Sequence, residues 1–366
     1  MKITAIEAIP VRINIKPLKF ANRQIDHGEC IVVRVHTDEG LMGYGEAMTL
    51  PHRTGDWVRA AKLLIDGLLA PALLNKDPCD PIACARLMER MLANNPATRA
   101  AIEIALYDVL GKALGLPLFR ILGGARREEV PALWHIGNFD EKLDGEEAAS
   151  AAERGFRMLK LKVGGMTHAQ DLASLASVRA AAPDVRIVLD ANQCWRADQA
   201  IRFIRAAEEQ RIDFVEQPLV KTDLAGMARV ASAVSTPIAA DEGLFTAEDA
   251  LAHLRADAAS VFVPKVVKAG GLGEVMRIAS LADIANVGVH LAAMPGQTSI
   301  GAAAETHLGL ALARLDYWSG IAVHYSKEDV VEDRVMPTRG AYRPSERPGL
   351  GVEVSDALLA KCRLDR

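Results

Sequence analysis

The chain has 366 residues, half of them hydrophobic and a quarter charged, which excludes a disordered protein and allows one large domain beside a smaller one. A formal net charge of −4 without runs of lysine or arginine excludes a nucleic-acid-binding surface, and no apolar stretch is long enough to cross a membrane. Five scattered cysteines without CxxC spacing predict neither disulfides nor a structural zinc site, so we expect a cytoplasmic protein with a small-molecule partner.

The first third of the chain has the pattern of an α+β region. The segments MKITAIEAIPVRI and ECIVVRVHTDEG alternate apolar and polar residues as strands do, and TDEG is a turn signal. Helical patterns follow at about 57 to 74, 80 to 94 and 97 to 114. The organisation changes near residue 125.

From about residue 130 the chain repeats one unit. A short β-branched run is followed by a polar or glycine-bearing turn and then by an alanine-rich amphipathic stretch such as ADQAIRFIRAAEEQ. Repeated βα units form a parallel sheet, and eight of them close into a barrel. We therefore predict an α/β fold, a modified (β/α) barrel of the TIM type with seven to eight βα units.

Ionisable residues recur at the same place in five successive units. Each one ends a short apolar run, and their spacings are 28, 26, 25 and 24 residues, about one βα unit each. They are Lys162 in MLKLK, Asp190 in VRIVLD, Glu216 in IDFVE, Asp241 in TPIAAD and Lys265 in SVFVPK. In a βα barrel the carboxyl ends of the strands carry the active site, so we expect these side chains at one rim.

The three carboxylates on consecutive strands predict a metal site. A single Asp at a strand end is commonly the N-cap of the next helix, and a Glu before QP could be a turn residue. Three buried like charges together are costly unless a cation lies among them. Because no Cys or His falls in register with the carboxylates, the donors are all oxygen, which favours Mg²⁺ first and Mn²⁺ second.

The segment MLKLKVGG places two lysines on one face of a strand. Lys160 and Lys162 alternate with leucines that would pack on the outer helices. An isolated alternating pair is typical of a solvated edge strand, but a central barrel strand has no such edge. If VPALWHIGN is the first strand, Lys162 is on the second and Lys265 on the sixth, across the barrel. Lys160 and an ion would lower the pKa of Lys162, which could then remove the α-proton of a bound carboxylate.

At this point the sequence resembles a known family. The motifs LKLKVGG, VLDANQCW, VEQPL, AADEG and VPKVVKAGGL are similar to the successive barrel motifs of the enolase superfamily, in its muconate-lactonizing-enzyme subgroup, the mandelate racemase/muconate lactonizing enzyme family. AAIEIALYDVLGKALGLPLFRILGG resembles the family's segment leading into the barrel, so the likeness covers essentially the whole chain. It implies metal ligands at Asp190, Glu216 and Asp241 and acid/base lysines at Lys162 and Lys265.

The resemblance also implies a domain organisation. Residues 1–125 would form an α+β capping domain, completed by the C-terminal segment 340–366, and residues 126–339 would form the barrel. Cap loops at about 16–28 and 48–56 would close over the substrate, and the protein would be a homo-oligomer.

Supporting residues come from the same motifs. We expect Asn192, Lys268 and Gln297 to bind substrate or to support the site, Lys268 through its charge. His290 falls on the seventh strand, where the mandelate-racemase branch has a basic histidine, but the sixth strand here carries Lys265, so we interpret His290 as structural.

Departures from the family pattern bear on the substrate. Gln297 stands where many subgroup members carry a glutamate, which puts the contribution of that glutamate in doubt. The segment DYWSGIAV has Asp316 without a second aspartate, so a dipeptide with a free ammonium is disfavoured. We also expect Trp134, Tyr317 and Trp318 near the rim, which favours a substrate without an ammonium group.

These observations predict a Mg²⁺-dependent enzyme that forms or protonates an enolate next to a small-molecule carboxylate, first a muconate-type cycloisomerase. The alternatives are a racemase or epimerase of an amino acid or N-acyl amino acid, and a dehydratase of a hydroxylated acid such as a hydroxyproline. Two other classes are a non-catalytic carboxylate-binding barrel, disfavoured by the facing lysines, and a metal-dependent hydrolase, disfavoured because no histidine stands at the ligand positions.

Overall fold

An antiparallel sheet begins the chain in a computed structural model that describes residues 1–20 and 23–365. Its three strands, in the order β1-β2-β3, are β1 (Ile3–Phe20), β2 (Arg23–Thr37) and β3 (Met42–Met48). The predicted TDEG turn joins β2 to β3. The predicted loop at 16–28 is wrong, because residues 16–20 and 23–28 continue the antiparallel strands β1 and β2; residues 21 and 22 lie outside the described part. Residues 49–57 do form a loop.

Helices cover one face of this sheet, close to the predicted positions. Asp80 caps the second of the three helical stretches by accepting from the backbone N–H of Ala83 (2.9 Å). The helix that crosses β3 is buried over most of its length, and Gly45 lets it approach, since a Cβ there would lie 2.0 Å from the Ala101 carbonyl oxygen. The helices are α1 (Val58–Leu64), continued by a π turn (Ile65–Leu69) into α2 (Ala70–Leu73), α3 (Pro81–Met91), α4 (Pro96–Leu114) and α5 (Leu118–Ile121). We call β1–β3 with α1–α5 the cap.

Eight parallel strands follow the short strand β4 (Val130–Pro131) and pair in chain order. The two outer strands meet through the Leu133 N–H, which donates to the Ser319 carbonyl (2.9 Å), so the sheet forms a nearly closed barrel. The predicted TIM-type fold is confirmed. The strands are β5 (Trp134–Ile136), β6 (Met158–Lys162), β7 (Arg186–Asp190), β8 (Val215–Glu216), β9 (Ile238–Ala240), β10 (Val261–Phe262), β11 (Gly288–Ala292) and β12 (Tyr317–Gly320).

Alternation along β6 separates the barrel interior from the outer layer. Met158 belongs to the small interior cluster, whereas Leu159 and Leu161 pack with the outer helices. Lys160 and Lys162 therefore point inward above Met158, as predicted. The outer helices are α6 (Glu141–Glu153), α7 (His168–Ala181), α8 (Ala197–Ala207), α9 (Leu224–Ala233), α10 (Ala247–Arg255), α11 (Val266–Ala269), α12 (Leu272–Ile284) and α13 (Ser299–Ala311).

Two buried cap glutamates hold the starts of two barrel helices. Glu46 on β3 accepts from the backbone N–H groups of Thr298 (2.8 Å) and Gly301 (2.9 Å) at the start of α13. Glu103 on α4 accepts from the Leu272 N–H (2.5 Å) at the start of α12. Negative charge at a helix N-terminus is favourable because the first N–H groups lack helical partners. We call these two contacts the seam between cap and barrel.

The end of the chain contacts both parts. Strand β13 (Ala341–Tyr342) pairs with β4, and helix α14 (Asp356–Cys362) lies against β1, where the Leu364 N–H donates to the Pro10 carbonyl (2.9 Å). We keep the division into a 1–125 cap completed by 340–366 and a 126–339 barrel as a proposal. Among the described residues, no helix is both long and apolar enough to span a bilayer.

Candidate active site

The strand register brings the predicted ionisable residues to the carboxyl ends of the barrel strands, which we call the mouth. Lys162 lies opposite Asp190 on the neighbouring strand, and Asp190 lies opposite Glu216. Asp241 follows β9 directly, and Lys265 precedes α11. All five side chains are buried, so the mouth concentrates charge that water cannot screen.

Each carboxylate is paired with a lysine. Lys160 Nζ lies 2.5 Å from Glu216 Oε2, and Lys162 forms an ion pair with Asp190. Asp241 takes two lysines, because Lys265 Nζ lies 2.6 Å from Oδ2 and Lys268 Nζ lies 2.6 Å from Oδ1. The structure thus brings these predicted site residues into one cluster.

The pKa shifts of the carboxylates follow from burial and from these neighbours. Burial and the nearby charge of Asp190 raise the pKa of Glu216 to about 7, despite the contact with Lys160. Burial also opposes ionisation of Asp241, but Lys265 and Lys268 outweigh it and hold the pKa of Asp241 well below its usual range. Of the three carboxylates, Glu216 is therefore the one whose negative charge the neighbouring cations compensate least.

The lysines of β6 shift in opposite directions. Burial, together with the charge of Lys160, lowers the pKa of Lys162 despite its contact with Asp190. Burial opposes the charge of Lys160 as well, but the attraction of Glu216, Asp190 and Asp241 together outweighs it and raises the pKa of Lys160. Lys162 is consequently the easier of the two to deprotonate, the direction that the sequence predicts. Burial lowers the pKa of Lys268 to about 8.

The chemistry of the carboxylates fits a hard divalent cation. Asp190, Glu216 and Asp241 offer only oxygen donors, from neighbouring strand ends, and Glu216 in particular is short of a cation. In the conformation described, lysine ammonium groups lie against these oxygens, and within residues 1–20 and 23–365 no group of three or more His, Cys, Asp or Glu side chains is arranged as metal ligands are. Holding a metal would therefore require the lysines to give up some of these contacts.

A cavity opens above this cluster between cap and barrel. Its cap side is formed by the end of β1 and the 49–57 loop, and its floor by the mouth. Its lining contains Leu18, Lys19, Phe20, Arg53, His135, Ile136, Gly137, Lys160, Lys162, Asp190, Glu216, Lys265, Ala292, Ala293, Met294 and Pro295. Its two cap-side ionisable residues, Lys19 and Arg53, are both cationic, so the cavity favours an anionic ligand.

The sequence reasoning missed two charged residues at this site. Arg53 from the cap loop donates to Asp241 Oδ2 (3.1 Å) and pairs with Glu242 Oε1 (3.0 Å). Both side chains are nearly buried, with exposed fractions of 10% for Arg53 and 4% for Glu242. Glu242 follows the predicted ligand in AADEG, a signal that was available, whereas nothing periodic marks Arg53 in its loop.

Asn192 lies two residues after the end of β7, beside the predicted site residues. Its backbone adopts a left-handed conformation (φ 43°), which Asn tolerates better than most residues. Its N–H donates to Asp190 Oδ1 (3.0 Å), and its side-chain oxygen accepts from Lys162 Nζ (3.2 Å). It is therefore in contact with two predicted site residues.

The other predicted supporting residues lie behind the cavity. Lys268 is buried beneath Asp241. Gln297 donates from Nε2 to Glu305 Oε2 (2.7 Å) on α13, and the described residues that line the cavity do not include it. His290 is fully buried on β11 next to Phe214.

The expectation of aromatic residues at the rim is wrong. Tyr317 and Trp318 begin β12, so they lie at the opposite, amino end of the barrel, and the Trp134 ring packs outward against Phe156. Asp316 also lies at that end, where it accepts from the Val289 N–H (2.9 Å). After β12 the mouth continues with the apolar residues 321–323.

Comparisons with known proteins agree with this geometry. Residues 3–123 match the N-terminal domain of the mandelate racemase / muconate lactonizing enzyme family, and residues 144–358 match the enolase C-terminal domain-like family. The chain is 33% identical over 363 residues to L-Ala-D/L-Glu epimerase of Bacillus subtilis, covering 98% of each chain.

Two solved structures are similar over nearly the whole chain. Muconate lactonizing enzyme from Pseudomonas fluorescens, complexed with muconolactone, has a TM-score of 0.95 at 30% identity, covering 99% of both chains. The dipeptide epimerase from Enterococcus faecalis, complexed with Mg and the dipeptide L-Leu-L-Tyr, has a TM-score of 0.92 at 30% identity, covering 96% of this chain and 100% of that one.

Proposed function

The chain belongs to the mandelate racemase / muconate lactonizing enzyme family of the enolase superfamily and is an enzyme of the isomerase class, and from that premise we propose that it is a muconate-type cycloisomerase. The observation that carries the proposal is the pair of lysines, Lys162 and Lys265, that face one cavity from opposite sides of three carboxylates. Its substrate would be a small carboxylate.

We assign the metal site to Asp190, Glu216 and Asp241. A divalent cation held there, Mg²⁺ first and Mn²⁺ second, would stabilise the negative charge that develops on the substrate carboxylate. The Enterococcus faecalis relative, which contains Mg, supports the choice of ion. Lys160 and Lys268 form ion pairs with Glu216 and Asp241 and so support these carboxylates.

The proton transfer belongs to Lys162. In cycloisomerisation, one substrate carboxylate oxygen bonds to an alkene carbon, and the electron pair of the alkene moves toward the second carboxylate as an enolate. The Lys162 ammonium then donates its proton to the α-carbon of that enolate. In the reverse direction the Lys162 amine removes this proton, a role that its lowered pKa supports.

The cavity favours an anion without an ammonium group. Its cap side contributes the cations Lys19 and Arg53, and its acidic lining residues are Asp190 and Glu216, both assigned here to the metal. Among the described residues of the β12 end, no carboxylate reaches the cavity, because Asp316 lies at the opposite end. A dicarboxylate with no amino group, such as a muconate, suits this charge pattern.

The second candidate is a racemase or epimerase of an N-acylated amino acid. Two lysines on opposite sides allow Lys162 to remove a proton and Lys265 to return one on the other face, and the 33% identical epimerase supports this reading. N-acylation would remove the ammonium that the cavity does not match. Dehydration of a hydroxylated acid would need the same first step.

Proton NMR in D₂O with Mg²⁺ tests these proposals. The protein is incubated with cis,cis-muconate, muconolactone, N-acyl amino acids, dipeptides and hydroxy acids, each with and without EDTA. Lactone formation from muconate, with one deuteron at the new methylene, is the expected result. Deuterium at the α-carbon of an N-acyl amino acid without lactonisation would replace the cycloisomerase with the racemase. Exchange that persists in EDTA would overturn the metal site.

A further inference from the structure

A chain of buried contacts links the end of β9 to Lys162. Glu242 Oε1 accepts from Asn192 Nδ2 (3.1 Å), and Asn192 Oδ1 accepts from Lys162 Nζ (3.2 Å). Arg53 Nη2 lies 3.0 Å from the same oxygen of Glu242 and fixes it from the cap side. Glu242 and Asn192 are 4% and 8% exposed, so water competes little for these contacts.

Glu242 determines the orientation of the Asn192 side-chain amide. A carboxylate oxygen only accepts hydrogen bonds, so it selects the NH₂ end of the amide and leaves the carbonyl end for Lys162. The rotated amide would place its NH₂ donors against the donors of Lys162 and its oxygen against the Glu242 carboxylate. With the Lys162 ammonium both contacts would be repulsive, and with the neutral amine the contact between the amide oxygen and the Glu242 carboxylate would still be, so Glu242 selects one orientation.

The carbonyl end of Asn192 in turn directs the lone pair of Lys162. A neutral amine carries two N–H donors and one lone pair in a tetrahedral arrangement. Asp190 Oδ2 and Asn192 Oδ1 together accept two hydrogen bonds from Nζ. Asp190 is assigned to the metal, so the contact that Lys162 keeps when a cation binds is the one to Asn192 Oδ1. That contact fixes one N–H of Nζ and thereby restricts the direction of the lone pair relative to the cavity, which Lys162 lines. A base must aim its lone pair at the proton it removes.

We propose that Glu242 is a positioning residue for Lys162 and that it acts through the orientation of the Asn192 amide. This inference rests on the proposed function, since it takes Lys162 as the acid/base group. Glu242 itself does not line the cavity among the described residues. Its loss should therefore reduce turnover more than substrate binding.

A double-mutant cycle tests the route through Asn192. Glu242→Leu should lower kcat by about 10- to 100-fold with a smaller change in KM, as expected when the partner that orients a reacting group is lost. In Glu242→Gln the amide oxygen can still accept from Asn192, so this matched variant should recover most of the loss. Asn192→Leu should be as impaired as Glu242→Leu, and the double variant no worse than Asn192→Leu alone. Losses that multiply in the double variant would overturn the proposal.

A second measurement needs no substrate. The protein is labelled with ¹⁵Nζ-lysine and studied by NMR with Mg²⁺ alone, and the Lys162 signal is assigned by its disappearance in Lys162→Met. The Lys162 signal should shift in Glu242→Leu and in Asn192→Leu but much less in Glu242→Gln, while the Lys160 signal stays in place. An unchanged Lys162 signal in Glu242→Leu would contradict the inference. If no compound is turned over, the proposed function fails, yet this measurement still decides whether Glu242 acts on Lys162.

Discussion

The cap meets the barrel in two chemically different ways, at the seam and at the mouth. At the seam, Glu46 and Glu103 accept hydrogen bonds from backbone N–H groups at helix starts. At the mouth, Arg53 contacts two carboxylates that also contact other side chains. At the seam the backbone supplies most of the donors, with one side-chain donor, the Thr298 hydroxyl, on Glu46. At the mouth the charges lie between side chains that can exchange partners.

We expect the seam to contribute mainly to the stability of the fold and the mouth mainly to the proposed reaction. Backbone donors at a helix start keep their positions as long as the helix exists, so a carboxylate there is fixed. At the seam the Glu103 carboxylate lies so close to the backbone that residue 271 has to be glycine, since a Cβ on Gly271 would lie 1.6 Å from a Glu103 oxygen. In the mouth, lysines and carboxylates can be redistributed when a metal ion and a substrate arrive. We expect substitutions in the two regions to affect different measured quantities.

The largest expected effect is at the mouth. Lys162→Met removes the proposed acid/base group and should lower turnover in the NMR assay by about 10²- to 10⁴-fold. Its free energy of unfolding in urea, measured with Mg²⁺ present, should stay close to that of the wild type. The bound cation replaces the positive charge that Lys162 places next to Asp190. A turnover within a few-fold of the wild type would refute the role of Lys162.

The next effect is at the seam. Glu46→Ala leaves the Thr298 and Gly301 N–H groups without their acceptor and should lower the free energy of unfolding by about 3 kcal/mol. The kcat of the protein that remains folded should be close to that of the wild type. Loss of kcat at unchanged stability would mean that the two regions are not separable.

A pH titration extends the comparison to Glu305 on α13, the helix whose start Glu46 holds. Burial raises the pKa of Glu305 to about 8, above an unfolded value near 4.5, so the folded protein keeps this carboxyl protonated where the unfolded chain does not. The stability that this contributes is fully present below the unfolded pKa and is lost as the pH rises through the folded pKa. Relative to Glu305→Gln, the wild type should lose on the order of 2 kcal/mol of unfolding free energy from about pH 6 to pH 8. A difference that is flat with pH would show that Glu305 is already ionised.

The smallest effect is expected at the edge of the mouth. Lys19 lines the cavity from β1 but is largely exposed, so Lys19→Met should change stability by no more than about 0.5 kcal/mol. If Lys19 attracts a second carboxylate of the substrate, KM for muconate should rise about two- to fivefold with kcat little changed. The monocarboxylate sorbate, added as a competitor of muconate, is the control ligand, and its inhibition constant should be the same in Lys19→Met and the wild type. An equal effect on both ligands would show that Lys19 does not attract a second carboxylate of the substrate.

The sequence was sufficient for the barrel and for the positions of its central charges. A spacing near 25 residues indicates one βα unit, and the alternation along MLKLK indicates which face of the strand points into the barrel. The location of Lys162 and Asp190 at strand ends therefore follows from local sequence patterns. Whether these residues perform the assigned roles remains a prediction.

Contacts between distant segments could not be read in this way. The Arg53 contact with Glu242 joins residues far apart in the chain, and a loop has no periodicity from which to infer a direction. Tyr317 and Trp318 were misplaced because their strand begins with them, and an aromatic cluster does not indicate which end of a strand it occupies. The strand ends at 16–20 and 23–28 were not predicted, because their apolar and polar residues do not alternate regularly.

The long antiparallel pair of strands β1 and β2 has an evolutionary consequence. Its described end supplies Leu18, Lys19 and Phe20 to the cavity, whereas the proposed metal ligands and proton-transfer lysines all come from the barrel. Substitutions along this ribbon can alter what fits without disturbing the groups assigned to the reaction. Such a division of labour would let related lineages acquire new substrates by small steps while inheriting one chemistry intact.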